Sequence, residues 1–135
     1  INNRRKNASI FKSLFKNEPN ISIQQETEVS SWFGFSLLLT NKLSSFRDDL
    51  INILMENNIE CRPIVAGNFT KNPVIKFMDY DIRGELSASD EIDKNGFFVG
   101  NDFRDLKNEI HYLHELIKEF EKSVLLDRKQ KWKMP

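Results

Sequence analysis

The segment Arg62-Pro63-Ile64-Val65-Ala66-Gly67-Asn68-Phe69-Thr70-Lys71-Asn72 joins a guanidinium to a glycine-containing loop rich in amide and hydroxyl groups. An arginine offers a planar fork of donors matched to phosphate or carboxylate, and a loop carried on a rigid sheet can aim it. Such a segment suits a phosphate or a sugar; on the residues alone, a satisfied structural loop stands as the alternative.

Other chemistry-bearing residues point elsewhere. His111 and His114 are three apart on a predicted helix. Two imidazoles at that spacing could share a metal, but a third ligand would have to come from another element, and surface histidines beside an apolar stripe are the plainer reading. Asp79, Asp81, Glu85, Asp90, Glu91 and Asp93 form an acidic stretch. Paired carboxylates do acid/base work when their environments separate their pKa values; accompanied by turns and an exposed helix, they read as a solvated surface. Cys61 is the only cysteine, flanked by strand-like residues with no neighbouring His or Lys, so it reads as a small hydrophobe in a reducing cytoplasm. There is no Gly-rich phosphate loop, no Gly-x-Ser-x-Gly elbow and no Cys/His metal cluster in the sequence.

The elements that must position these groups are legible from periodicity. Ala8, Phe11 and Phe15 make a helical stripe over Arg4–Lys16, closed by Asn17-Glu18-Pro19-Asn20. Ile21-Ser22-Ile23 alternates as a strand does, and Ser30-Ser31-Trp32-Phe33-Gly34-Phe35 leads into a central strand at Ser36–Leu39. Trp32, Phe33 and Phe35 read first as core, with a ligand platform as the alternative. Ser45-Phe46-Arg47-Asp48 resembles a capping box opening a helix with the stripe Phe46, Leu50, Ile53 and Leu54, closed by Asn57-Asn58. A strand is expected over Ile59–Ile64, an irregular stretch over residues 65 to 85, and a short helix capped by Ser87 or Ser89 and stopped at Asn95-Gly96. Phe97-Phe98-Val99 is a further strand. Leu106, Ile110, Leu113, Ile117, Phe120 and Val124 then mark a long amphipathic helix. Helices and strands that mix without regular alternation predict an α+β domain: helices packed on a small, mostly antiparallel sheet.

At 135 residues, with 20 basic and 20 acidic side chains, the chain is sized for one domain and carries no global field toward nucleic acid or an anionic membrane. The basic tail over Asp127–Pro135 lacks interleaved aromatics apart from Trp132, so no nucleic-acid partner is expected, and it should fray. No apolar run approaches the ~20 residues of a membrane helix. The opening Ile1-Asn2-Asn3-Arg4-Arg5 has neither an initiator Met nor an apolar signal region and reads as the interior of a longer protein.

Three blocks in order resemble the DegT/StrS-type sugar aminotransferase and dehydratase family: Ser30 to Phe35, Arg62 to Asn72, and Ile92-Asp93-Lys94-Asn95-Gly96-Phe97-Phe98-Val99-Gly100-Asn101. The opening Asn3-Arg4-Arg5-Lys6-Asn7-Ala8 is similar to the helix that links that family's large and small domains, so the resemblance spans nearly all of residues 3 to 120. The branch it approaches is that of the GDP-4-keto-6-deoxymannose 3-dehydratases of colitose synthesis, beside the CDP-4-keto-6-deoxyglucose 3-dehydrases.

The resemblance implies a type I aminotransferase-like fold, in which a large domain carries pyridoxal 5'-phosphate and a small domain, here residues 1–126, closes over the substrate. It implies a lysine holding the cofactor in most of the family and a histidine acting as base in the 3-dehydratase branch. Neither falls in the blocks present, so no catalytic residue and no metal ligand is assigned, and the isolated chain is expected to be inactive and to bind no cofactor. Carried over residue by residue, Arg62 and Asn68 become substrate-side contacts, Ser31 and Trp32 line the domain cleft, and Asn101 lies near its mouth. After Gly100-Asn101 the family commonly has a histidine where Asp102 stands, which puts an acid/base or phosphate role there in doubt. The implied partners are a GDP- or CDP-linked sugar, the chain's own amino-terminal large domain and a second copy in a homodimer; the implied pathway is lipopolysaccharide O-antigen sugar synthesis. A transaminase of the same family is the nearest rival, and a non-catalytic protein-interaction module is the second.

Overall fold

The computed structural model describes residues 1–131, with side chains through residue 126; the remainder of the basic tail expected to fray lies outside the described residues. The described residues form helices α1 (Asn2–Phe15), α2 (Arg47–Glu56), α3 (Ser87–Asn95) and α4 (Lys107–Lys131), and strands β1 (Ile21–Ile23), β2 (Gly34–Leu39), β3 (Cys61–Arg62) and β4 (Gly96–Gly100). The strands make one antiparallel sheet in the order β1-β2-β4-β3. This is the α+β architecture that the mixed periodicities predict.

The sheet's two faces follow from the two-residue alternation of a strand. Phe35, Leu37 and Leu39 of β2 and Phe97 and Val99 of β4 point to one face and are buried there. Onto that face α1 lays Ala8, Phe11 and Phe15, and α4 lays Ile110, Leu113, Ile117, Phe120 and Val124. The α4 stripe alternates steps of three and four, which keeps it on one side of a 3.6-residue helix. Leu50 and Leu54 of α2 complete the core, with Phe46 and Ile53 half-buried against it.

A polar cluster fastens the α1–β1 turn to α4. Glu18 accepts from His114 Nε2 and from Lys118 Nζ, both at 2.8 Å, and Lys118 also reaches Glu121 at 2.5 Å. The Asn20 amide donates to Glu121 on the same side. Burial pushes the Glu18 carboxyl up, but the hydrogen bonds and charges of Lys118 and His114 more than reverse this and leave it below its usual range. His114 also meets Phe15 edge-on at 5.0 Å, so this imidazole serves packing and a hydrogen bond to Glu18.

Three local expectations need correction. The capping box does not form: Ser45 is left-handed (φ +74°), its N–H donates to Asn95 Oδ1, and Phe46 occupies the cap position with no side-chain cap bond. Asp48 and Asp49 instead sit in the first turn of α2, where acidic groups favour the helix dipole. Neither Ser87 nor Ser89 caps α3; Leu86 holds that position and Ser87 is already helical. The strand expected over Ile59–Ile64 shrinks to Cys61–Arg62. The next residue is Pro63, which has no N–H for a ladder, and Ile64 turns off to lie against Gly96. The Asn57-Asn58 helix stop is as expected, with Asn58 left-handed at φ +62°.

Candidate functional site

The face of the sheet opposite α1 and α4 carries the side chains that alternate with the core. Cross-strand register puts Ser36 of β2, Phe98 of β4 and Arg62 of β3 in one row. β3 is the edge strand, so Arg62 has no neighbour beyond it in the sheet and is exposed. Its guanidinium forks onto Glu60, with Nε and Nη2 at 2.9 and 2.6 Å from Oε1. Both side chains are well solvated, so this pair contributes little stability and leaves the fork free to exchange partners. A groove of about 540 Å³ runs around this edge toward α4, lined by Glu60, Arg62, Phe98 and Asn101 and, on the covered side, by Val99, Ile110 and Leu113. A shallower hollow of about 430 Å³ lies on the open face between Gln24, Ser36, Ile64 and Val65. Phe33 and Phe98 line both.

The loop after β3 is held by α3. Lys71 Nζ bridges Asp90 (2.7 Å) and Asp93 (3.1 Å). The Asn68 side chain donates to Asp90 at 2.8 Å and accepts from Thr70 N–H and Oγ1, while its own N–H donates to Asp93 at 3.3 Å. Lys71, and after it the Asn68 groups, hold both carboxyls below the usual range, and Asp90 and Asp93 in turn hold the Lys71 ammonium above its own. The acidic stretch is therefore not simply a solvated surface: two of its members clamp the loop. Gly67 is left-handed (φ +58°), and a Cβ there would stand 2.0 Å from Asp93 Oδ1, so glycine is required. Val65 is also left-handed (φ +48°), a strained state for a β-branched residue, and is 91% exposed.

Of the expected site residues, the structure brings Arg62 and Asn101 to the groove and keeps Asn68 at the loop clamp. Ser31 is exposed beside Trp32, which is buried, with Lys12 over its ring at 5.3 Å. Asn101 is 5% exposed and joins three segments. Its Nδ2 donates to Trp32 O (2.8 Å) and Arg4 O (3.1 Å), and its Oδ1 accepts from Asn7 Nδ2 (3.0 Å). Asn7 also reaches Arg104 O (2.9 Å) and accepts from Leu106 N (3.1 Å), and Asn3 donates to Phe103 O (2.8 Å). Asn101→Ala is expected to destabilise the fold by about 2 kcal/mol, because buried carbonyls and an amide lose their partner. Urea unfolding at pH 7 checks this; an unchanged midpoint would leave Asn101 a surface contact only. Asp102 pairs with Arg104 at 2.5 Å, which holds its carboxyl below the usual range.

The residues that the sequence does not single out are Glu60 and Phe98. A two-residue alternation counted from Arg62 puts Glu60 on the same face, and the Phe97-Phe98 pair must split across the sheet; both signals exist only once the register is known.

Neither of the two lysines whose ionisation is perturbed, Lys71 and Lys118, is set up to form an imine with pyridoxal phosphate. An imine-forming lysine is activated by a lowered pKa or an adjacent base. Lys71 is held protonated by Asp90 and Asp93. For Lys118, burial pulls the ammonium down, but Glu121 and Glu18 more than reverse it. Among the described residues no group of three His, Cys, Asp or Glu side chains is placed to hold a metal ion, and no helix is long and apolar enough to cross a membrane. Burial, with Glu60 adding to it, pushes the Cys61 thiol up to about 11, which suits packing and not nucleophilic attack.

The profile of the DegT/DnrJ/EryC1/StrS aminotransferase family matches residues 1–101. A GDP-4-keto-6-deoxy-D-mannose 3-dehydratase of Yersinia pseudotuberculosis is 53% identical over 119 residues, which is 87% of this chain and 30% of that protein. A protein of the same description from Escherichia coli O55:H7 (strain CB9615 / EPEC) is 46% identical over 119 residues, 87% of this chain and 31% of its own length. The chain thus spans about 30% of the length of the curated relatives it matches. The solved structure of the E. coli GDP-4-keto-6-deoxy-D-mannose-3-dehydratase with bound hydrated PLP superposes with a TM-score of 0.79 at 46% identity, covering 84% of this chain and 29% of that one. A mutant GDP-4-keto-6-deoxymannose-3-dehydratase with bound GDP-perosamine superposes at 0.80, also 46% identical, covering 84% and 30%.

Proposed function

The chain belongs to the DegT/DnrJ/EryC1/StrS aminotransferase family, and on that premise we propose that residues 1–126 are the carboxy-terminal small domain of a pyridoxal-phosphate-dependent nucleotide-sugar 3-dehydratase. The whole protein removes the C3 hydroxyl of a 4-keto-6-deoxy sugar nucleotide, in the synthesis of lipopolysaccharide O-antigen sugars in the cytoplasm. When bound, pyridoxal phosphate supplies an electron sink for breaking the bond at C3. The residues that hold it and move protons lie on the large domain, not in this chain.

The observation that carries the reading is Arg62, an exposed guanidinium on the sheet face that α1 and α4 leave open, at the edge of a groove of about 540 Å³. A relative with bound PLP and another with bound GDP-perosamine support the cofactor and the ligand class. Here Arg62 orients the anionic part of the nucleotide. The loop clamped through Asn68 shields the substrate, Ser31 and Trp32 border the cleft between domains, and Asn101 holds the groove mouth in shape. Positioning and water exclusion act on rate without bond making. A homodimer is the expected assembly, with the large domain covering apolar side chains this chain exposes, among them Val65, Phe77 and Phe103.

The test is product analysis with the full-length protein, supplied with pyridoxal phosphate, an amino donor and GDP-4-keto-6-deoxymannose. A 3-deoxy sugar nucleotide is expected. Accumulation of an amino sugar nucleotide instead would turn the assignment to the transaminase, and no conversion of any 4-keto sugar nucleotide would end both.

A further inference from the structure

We propose that Phe33 and Phe98 form a stacking platform for the base of a nucleoside diphosphate, with Arg62 beside it for the phosphates; this rests on the nucleotide-sugar reading above and names a subsite within it. From the sequence, the three aromatic residues of Trp32-Phe33-Gly34-Phe35 read together as core or as ligand platform; the structure divides them. Trp32 and Phe35 are buried, whereas Phe33 is 72% exposed.

An exposed phenylalanine is ordinary by itself. What sets this one apart is how firmly it is held. Trp32, immediately before it, is left-handed (φ +54°), a conformation that costs free energy and persists only where the surroundings enforce it. The enforcement is visible: Asn101 donates its side-chain amide to Trp32 O at 2.8 Å and its backbone N–H to Phe33 O at 3.3 Å. The chain is thereby turned so that Trp32 enters the core and Phe33 leaves it.

Gly34 then lets the second ring lie down. A Cβ at Gly34 would stand 2.9 Å from Phe98 Cδ2, so the Phe98 ring covers the glycine on the open sheet face. The centroids of Phe33 and Phe98 are 6.1 Å apart with the planes at 43°, an aromatic step with both rings bordering the groove and the hollow. Phe98 is the register partner of Arg62, and side chains directly opposite on neighbouring strands lie about 5 Å apart at Cβ. A π face next to an exposed guanidinium matches a molecule that is flat and aromatic at one end and anionic next to it. A nucleoside diphosphate has that form, and aromatic stacking accepts any base.

The test uses the full-length protein, titrated calorimetrically with guanosine diphosphate and separately with inorganic pyrophosphate. Phe33→Leu keeps an apolar side chain and removes the π face. It is expected to weaken guanosine diphosphate about tenfold to a hundredfold, leave pyrophosphate unchanged and leave the thermal midpoint unchanged; Phe33→Trp is expected to restore the nucleotide affinity. The platform is overturned if Phe33→Leu leaves guanosine diphosphate unaffected, or if it weakens both probes alike, which would make the ring a contact with the rest of the protein. Arg62→Ala, run in parallel, separates the two ideas. Weakening of both probes upholds the anion site whatever Phe33 does, and weakening of neither removes the nucleotide reading itself.

Discussion

Replacing Arg62 by alanine in the full-length protein is expected to lower kcat/KM for the nucleotide sugar by roughly 30- to 5000-fold, the range for truncating one partner of a desolvated, hydrogen-bonded charge pair. In the isolated domain the guanidinium is solvated and shared with Glu60, so little holds it there. When a second domain closes over the groove, water leaves, and an anion facing the fork gains two parallel hydrogen bonds at low dielectric. Deleting the fork leaves that anion buried and unpaired. Arg62→Lys should recover only part of the loss, because an ammonium lacks the two parallel donors with which a planar guanidinium grips two phosphate oxygens. Steady-state kinetics of the two variants beside the parent enzyme make the measurement. Because Arg62 is exposed on an edge strand, the thermal midpoint should stay put, so a kinetic defect could not be blamed on unfolding. Unaltered kinetics in Arg62→Ala would take this residue out of the site.

The largest expected effect on stability is at Phe11. Its side chain is fully buried, stacked on Phe35 of β2 at 4.4 Å and 11° and tilted against Phe15 at 4.7 Å. Phe11→Ala should cost about 3–5 kcal/mol, from lost transfer free energy plus the cavity the helix and sheet cannot close. Domains are stable by only about 5–15 kcal/mol in total, so the variant should sit near the edge of folding. Phe11→Leu keeps most of the volume and should cost markedly less. Urea unfolding followed by circular dichroism, compared at equal m values, gives the numbers. A loss under about 1 kcal/mol for the alanine variant would mean that α1 is not anchored to the sheet through this stack.

How well the sequence foretold these features depends on the range of the force involved. The stripes of α1 and α4 and the alternation of β2 come from burial against one large face, so hydrophobic periodicity reports them directly. The length of β3 does not, because an edge strand needs its own N–H groups for the ladder, and Pro63, which has none, ends the pairing although β4 runs on to Gly96. Ser45 looks like a cap in a four-residue window, yet its backbone is claimed by Asn95, far along the chain. At the site, the Arg62 segment stood out by composition; Arg62 itself lies at the groove, and Ile64 and Val65 lie at the hollow. Phe33 could not be told apart from Trp32 and Phe35, core or platform, since a single left-handed residue at position 32 breaks the alternation that would have placed it. Asn68 and Asn101 drew notice as polar residues in the right blocks; the structure shows their side-chain amides engaged within the chain, so any part they take in binding runs through the loops they hold.

The grip of α1 on residues 101 to 106 has a mechanical side. Asn3 and Asn7 lie one turn apart on the same helix face and reach Phe103, Arg104 and Leu106, while the Arg4 carbonyl and Asn7 both hold Asn101. A rod pinned at several places along its length to a panel cannot roll without carrying the panel along. Asn101, Arg104 and the Phe33 carbonyl are thereby held to α1 as one unit at the border of the groove, while the Phe11–Phe35 stack fixes the same helix to the sheet.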